Sequence, residues 1–386
     1  MRKRLKSRRI VLPDGLFDGY VYIEDGKIAE VTKDELPCDE TADFGDDYLA
    51  PGFIDLHVHG GAGYDFGKCT ADEAVRAIRY HLSHGTTTIL PTLAAAPIPE
   101  MTAALNRIKV CMEICSLRTG GPEIHIPGVH LEGPYFSPNQ CGAQNTDFLT
   151  EPKAEEYEKV LRDYQGVIKR WSYAPERDQA GMFCKALSDA GVIPSAGHTD
   201  AVYTDMQTAF ENGCSLVTHL YSCTSTVTRR QGYRQLGVIE TAYLNQEMNV
   251  ELIADGSHLP PELIRMIFQI KGRERIALVT DALSVSGLDE KSGELNGVPY
   301  IVEDGVCKLP DRSAFAGSIA TTDCLVRTCV QRVGLSVTDS VYMASAVPAR
   351  LLGLKKGRIE AGYDADLVLF DEQVQVKRVY TKGEKV

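Results

Sequence analysis

No apolar stretch of about 18 residues occurs anywhere in this chain, so no segment reads as a membrane-crossing helix and no membrane partner is expected. Six Lys or Arg residues fall within Met1–Ile10, but no apolar run of signal length follows them, so this segment is expected to be a solvated basic tail. Positive charge is not in surplus either. The formal net charge is -12, which argues against nucleic acid, because phosphate backbones demand a broad basic face. A small anion can still bind where one pocket is locally basic. Cys-x-x-Cys is absent, and the eleven cysteines are scattered without paired spacing, which speaks against a thiolate zinc site. Cys111 and Cys115, four apart in an apolar helical pattern, are expected to fill core. The cysteine usage suits a reduced, cytoplasmic protein. There is no internal repeat and no low-complexity segment.

What is present is an ordinary globular composition: 386 residues, 44% hydrophobic and 24% charged. That length accommodates a barrel of about 250 residues with a smaller appendage. Between Phe53 and Asp281, short β-branched runs alternate with helical patterns. Candidate strands are Phe53–Val58, Thr87–Pro91, Pro127–Glu132, Ile168–Tyr173, Val192–Gly197, Leu216–His219, Asn249–Ala254 and Ile276–Thr280. Helical periodicity covers Asp72–His84, Ile98–Arg118, Asp178–Ala190 and Pro260–Ile270. Alternation of this kind builds a parallel sheet, and this many units predict an α/β fold of the closed (β/α)8, TIM-like type over residues 51–352. A doubly wound sheet is the alternative, but no G-x-G-x-x-G follows the first strand. Residues 1–50 and 353–386 are β-rich and are expected to pair into a small β-sandwich domain. Turns at Gly293, Asn296-Gly297 and Asp304-Gly305 predict a β-hairpin insertion near residues 293–310.

The nine histidines are the most informative residues. His57 and His59 lie two apart at the end of the first strand, so both imidazoles share a face. One strand-end histidine is usually structural, but two on one face crowd unless a cation lies between them. Glu132 ends the third strand, His198 the fifth, His219 the sixth and Asp281 the eighth. The C-terminal ends of barrel strands are where barrel enzymes place their chemistry. Each residue alone is weak evidence, since a lone Glu132 there reads best as a loop-start salt bridge. Their convergence on one layer is not readily accidental. Imidazole and carboxylate without thiolate suit Zn(II), Fe(II), Mn(II) or Co(II). His81 and His84 read as ordinary residues near a helix C-terminus, and His130 as a packed core histidine.

These residues and their flanking motifs resemble the amidohydrolase superfamily and, within it, the N-acetylglucosamine-6-phosphate deacetylase family. The resemblance spans Ala50-Pro51-Gly52-Phe53-Ile54-Asp55, Leu131-Glu132-Gly133-Pro134, Ala196-Gly197-His198-Thr199, Thr218-His219-Leu220-Tyr221, Ala254-Asp255-Gly256, Thr280-Asp281-Ala282 and Phe315-Ala316-Gly317-Ser318. The run Gly362-Tyr363-Asp364-Ala365-Asp366-Leu367 is similar to the superfamily's small β domain. The resemblance implies a divalent metal, zinc or iron, held by Glu132, His198 and His219, with Asp281 as general acid/base. Some members carry Gln and Asn at the first-strand positions and use one metal. His57 and His59 resemble instead the members with a second metal shared through Glu132, giving one or two per subunit. Arg230 falls where the family has an arginine reaching the substrate phosphate of the adjacent subunit, which implies a homodimer or higher homo-oligomer. His258 matches a phosphate or sugar contact and Ala143 a backbone contact.

Two positions depart from the family pattern. Ser222-Cys223-Thr224 stands where Asn-Ala-Met is usual, and Gln144 where His is frequent. Both are expected on the substrate side of the site, away from the metal. The implied reaction is hydrolysis of the N-acetyl group of a phosphorylated N-acetylhexosamine, N-acetylglucosamine 6-phosphate first, with N-acetylgalactosamine 6-phosphate as an alternative. A cyclic-amide hydrolase would normally carry a carboxylated lysine at the end of strand four, where this chain has Trp171-Ser172-Tyr173-Ala174-Pro175. A non-catalytic scaffold relative would typically have lost ligands, and none is lost here.

Overall fold

The computed structural model describes residues 1–116 and 124–386. Eight parallel strands form its central sheet: β1 (Phe53–Val58), β2 (Thr86–Leu93), β3 (Val129–Glu132), β4 (Ile168–Tyr173), β5 (Ile193–Ala196), β6 (Leu216–Val217), β7 (Asn249–Leu252) and β8 (Ile276–Leu278). Neighbours in the sheet follow chain order from β1 to β8. The gap between β1 and β8 is stitched where Asp281 N–H donates to the His57 carbonyl at 2.9 Å and His59 N–H donates to the Ala282 carbonyl at 2.9 Å. The result is the expected (β/α)8 barrel, nearly closed, with strands one or two residues shorter at several ends than the β-branched runs suggested, and β2 longer at both of its ends.

Alternation along each strand divides the barrel into two environments. In β1, Ile54 and Leu56 pack outward with Val347 and Ala349, while Asp55 and His57 are buried polar residues on the opposite face. In β4 the outward residues Trp171 and Tyr173 both meet Phe183 edge-on, at 5.2 and 5.4 Å between ring centroids. Arg170 and Ser172 take the inner face. A polar interior is tolerable only when its groups are paired. Arg170 Nε donates to Ser195 Oγ at 2.9 Å, its Nη2 donates to Thr218 Oγ1 at 2.8 Å, and its Nη1 bonds Glu251 on β7. Asp55 accepts from Thr280 Oγ1 at 2.5 Å.

The first outer helix begins where the sequence supplies a cap. Thr70 accepts from Glu73 N–H while the Glu73 carboxylate accepts from Thr70 N–H, and the helix Ala71–Ser83 follows. The helix predicted over 98–118 is described as Ile98–Ser116, and its expected end at Arg118 lies outside the described residues. Cys111 and Cys115 are buried on its inner face, and all eleven cysteines are free thiols.

Both chain ends enter one further sheet. Tyr48–Pro51 runs parallel to Arg2–Leu12 and antiparallel to Leu367–Phe370, with Leu49 paired to both Ile10 and Leu369. The N-terminal segment is therefore not the solvated tail expected from its charge. Arg2–Leu12 is a strand of eleven residues that pairs with Gly15–Glu24. It buries Leu5, Ile10 and Val11. Its basic side chains point to carboxylates instead of open water, with Lys3 2.6 Å from Glu384, Arg4 2.6 Å from Glu35 and Arg9 2.7 Å from Glu372. The insertion predicted at 293–310 is larger than a hairpin. It is a four-stranded antiparallel meander from Ser292 to Ser318.

Candidate active site

Three of the residues singled out above occupy the same unusual backbone position. His198 (φ 48°), His219 (φ 27°) and Asp281 (φ 49°) each follow a barrel strand in the left-handed region. A non-glycine residue there costs about 1–2 kcal/mol, and such strain persists only when surrounding contacts over-determine it. Here the reversal aims each side chain into the C-terminal mouth of the barrel.

The side chains converge on Glu132. Its Oε1 lies 3.0 Å from His219 Nε2, 3.2 Å from His198 Nε2 and 3.3 Å from His57 Nε2. Its Oε2 lies 3.2 Å from His59 Nε2. Asp281 Oδ1 completes the cluster at 3.2 Å from His59 Nε2 and 3.5 Å from His57 Nε2. All six residues are buried. Burial would lift the Glu132 carboxyl, but His57, His198 and His219 hold it well below the ordinary carboxylate range. Burial likewise opposes the charge on Asp281, and His57 and His59 outweigh it, so this carboxyl is also lowered. In return Glu132 and Asp281 overcome burial to raise the His57 imidazole to about 10 and that of His59 to about 9.

This donor set fits a divalent cation. His198 Nδ1–H donates to the Gln140 carbonyl at 2.9 Å and His219 Nδ1–H to the Ser222 carbonyl at 3.0 Å. Because a carbonyl can only accept, both rings present a bare Nε2 to the cluster when neutral. His57 Nδ1 stands 3.4 Å from Glu251 Oε2 and is oriented the same way. The Nε2 atoms of His57 and His59 face each other at 3.3 Å, an arrangement that needs a proton or a cation between them. Ligand atoms of His57, His59 and Asp281 lie within 4.8 Å of one another, as do those of His57, Glu132 and His219. Either group could hold a cation, and Glu132 reaches both sides of the cluster through its two oxygens.

Above the cluster opens a cavity of about 290 Å³ whose wall includes Ala143, Gln144, Ser222, Cys223 and His258. Four of these are the expected substrate contacts Ala143, Ser222, Cys223 and His258. His258 is fixed by Asp255, whose Oδ2 lies 2.8 Å from its Nδ1, and it packs on Phe315 at 4.8 Å between centroids.

A family model described as the amidohydrolase family matches residues 48–386. N-acetylglucosamine-6-phosphate deacetylase of Bacillus subtilis (strain 168) is 32% identical over 375 residues, 95% of this chain and 92% of that one. The chain belongs to the N-acetylglucosamine-6-phosphate deacetylase branch of the amidohydrolase family. It is a hydrolase by that membership. Another relative, N-acetylgalactosamine-6-phosphate deacetylase of Escherichia coli O157:H7, is 29% identical over 383 residues, 98% of both chains. The structure of a mutant N-acetyl-D-glucosamine-6-phosphate deacetylase from Mycobacterium smegmatis, in complex with N-acetyl-D-glucosamine-6-phosphate, superposes with a TM-score of 0.91. It is 30% identical and covers 100% of this chain and 99% of that one.

Other residues of this amidohydrolase stand differently from expectation. Gln144 is not confined to the substrate side, because its Nε2 donates to Glu132 Oε2 at 2.7 Å. Ser222 likewise serves the cluster through its carbonyl. Arg230 lies outside the cavity wall, exposed on the hairpin Thr228–Arg230/Tyr233–Gln235. His130 is a core histidine, held between Thr92 Oγ1 at 3.1 Å and Ser172 Oγ at 2.8 Å. His81 is more than a helix-end residue. It is buried and donates from Nε2 to the Gly60 carbonyl at 2.8 Å, and burial pushes its imidazole down to about 4. Leu295 and Ala314–Gly317 of the meander form part of the cavity wall. The Arg170–Glu251 pair beneath the cluster went unread in the sequence, although a charged residue inside a buried strand pattern was the available signal.

Proposed function

We propose that this chain hydrolyses N-acetylglucosamine 6-phosphate to acetate and glucosamine 6-phosphate. The observation that carries the reading is the convergence of four Nε2 atoms on Glu132 and Asp281, under a cavity walled by both polar residues such as Ser222 and His258 and apolar ones such as Leu295 and Phe315. Glu132, His198 and His219 would hold one divalent cation, zinc or iron. His57 and His59 would hold a second, with Glu132 shared between them. When bound there, such a cation acidifies water toward a pKa of about 7 and polarises a carbonyl oxygen.

The remaining work belongs to the chain. Asp281, held ionised by His57 and His59, accepts the proton of the water that adds to the amide carbon. It returns that proton to the amide nitrogen as the C–N bond breaks, so the product leaves as an amine instead of an unstable amide anion. The fixed tautomers of His198 and His219 keep their lone pairs aimed at the cluster throughout. His258, Ser222, Cys223 and the Ala143 backbone would orient the sugar. Arg230 would reach the phosphate of a neighbouring subunit in a homodimer, where a guanidinium fork suits a phosphate dianion. The free thiols are in keeping with a reduced, cytoplasmic setting.

N-acetylgalactosamine 6-phosphate is the second reading, favoured by the relative of that name aligned over 98% of this chain. Acetate release from phosphorylated and unphosphorylated N-acetylglucosamine, N-acetylgalactosamine and N-acetylmannosamine decides between them. The phosphorylated gluco sugar is expected to have the highest kcat/KM. A preference for the galacto epimer would transfer the assignment, and indifference to phosphate would remove Arg230 from it.

A further inference from the structure

Glu132 is restrained by a neighbour outside the histidine cluster. The side-chain Oε1 of Gln144 accepts the Ala95 N–H at 2.9 Å, just beyond β2. That bond fixes which way the amide points, since a backbone N–H needs an acceptor. The Nε2 of Gln144 is thereby turned toward Glu132 Oε2, to which it donates at 2.7 Å. Gln144 is itself buried, at 6% exposure, so water does not compete freely for either bond.

The consequence concerns rotation of the Glu132 carboxylate. Its two oxygens are chemically equivalent, yet they have different neighbours. Oε1 faces His57, His198 and His219, whereas Oε2 faces His59 and Gln144. Without the amide, the histidines alone among the described residues would fix the carboxylate plane, and those same histidines must also serve a cation. A neutral amide donates at every pH and adds no charge to the cluster. It can hold one oxygen without competing electrostatically with the ion.

Resting on the cation reading above, we propose that Gln144 is a positioning residue that locks the Glu132 carboxylate with one oxygen toward each side of the histidine cluster. Its contribution is to cation affinity, through the orientation of Glu132. Outer hydrogen-bond partners of this kind are worth about 10–100-fold in metal affinity.

The test is a Zn²⁺ titration of metal-free protein against a competing chelator, comparing the wild type with Gln144→Met, Gln144→Ala and Gln144→His. Met keeps the length and removes the donor, Ala removes both without adding bulk, and His restores an N–H. Variants are compared when their metal-free melting temperatures match the wild type, and either Q144M or Q144A suffices. Expected is a loss of about 10–100-fold in Zn²⁺ affinity for the Met or Ala variant, with the His variant recovering most of it. Wild-type affinity in Q144M or Q144A, or a His variant no better than Met, would overturn the proposal while leaving the cation reading standing. A wild type that binds no Zn²⁺ would overturn both.

Discussion

Asp281 and Glu132 are both buried carboxylates ringed by imidazoles, but their surroundings give them different capacities. Both oxygens of Glu132 are engaged, by four histidines and an amide. Among the described residues, Asp281 is paired with His57 and His59 through Oδ1, and it lines the cavity. It is the carboxylate with room to take and return a proton. Asn at this position preserves volume and one oxygen but has no basicity. Asp281→Asn is therefore expected to keep its metal, measured by elemental analysis of the purified protein, while kcat falls by about 10²–10⁴-fold. A turnover near that of the wild type would place the proton carrier elsewhere.

Among elements, the barrel strands carry the site on an ionic floor. Arg170 on β4 bonds Ser195 on β5, Thr218 beyond β6 and Glu251 on β7, while Glu251 Oε2 accepts the His219 N–H at 3.2 Å and stands 3.4 Å from His57 Nδ1. Burial works against the charge on Glu251, but Arg170 and His57 prevail and lower its carboxyl to about 2. Arg170→Met would leave that carboxylate buried without its cation, which costs about 3–5 kcal/mol. Urea unfolding of the metal-free variant checks this, and a loss under 1 kcal/mol would mean that His57 alone can neutralise Glu251. This floor also shows where sequence reading stops. Strand-end residues such as His198 and Asp281 were legible because strand ends recur at a fixed place in a barrel. The partners of Arg170 depend on which strands become neighbours across the interior, and no local periodicity reports that. The bond from Gln144 to Glu132 was hidden for the same reason, since a loop residue meets Glu132 only after the chain has closed. The N-terminal strand was hidden differently. Its buried residues Leu5 and Ser7 are two apart, but a bulge before Ile10 and Val11 breaks the alternation, and dense Lys and Arg resembled a tail until Glu24, Glu35 and Glu384 were brought opposite.

For the whole molecule, a site on an acidic chain needs a local source of positive charge to attract a phosphate. Among the described residues, the cavity wall includes His258 but no Lys or Arg. Arg229, Arg230 and Arg234 instead stand exposed on a hairpin, beside Tyr233 at 80% exposure. If Arg230 serves the neighbouring subunit, a site needs Asp281 from one chain and Arg230 from the other. Arg230→Ala and Asp281→Asn would then each be defective alone and would complement when mixed. After denaturation and joint refolding at equal amounts, half the dimers are mixed, and one of the two sites in each is complete. Recovery of about a quarter of wild-type kcat/KM is expected at low substrate, as the symmetry of a dimer requires. Equal amounts of the two proteins refolded separately provide the baseline. A mixture no more active than that baseline would show that each subunit completes its own site.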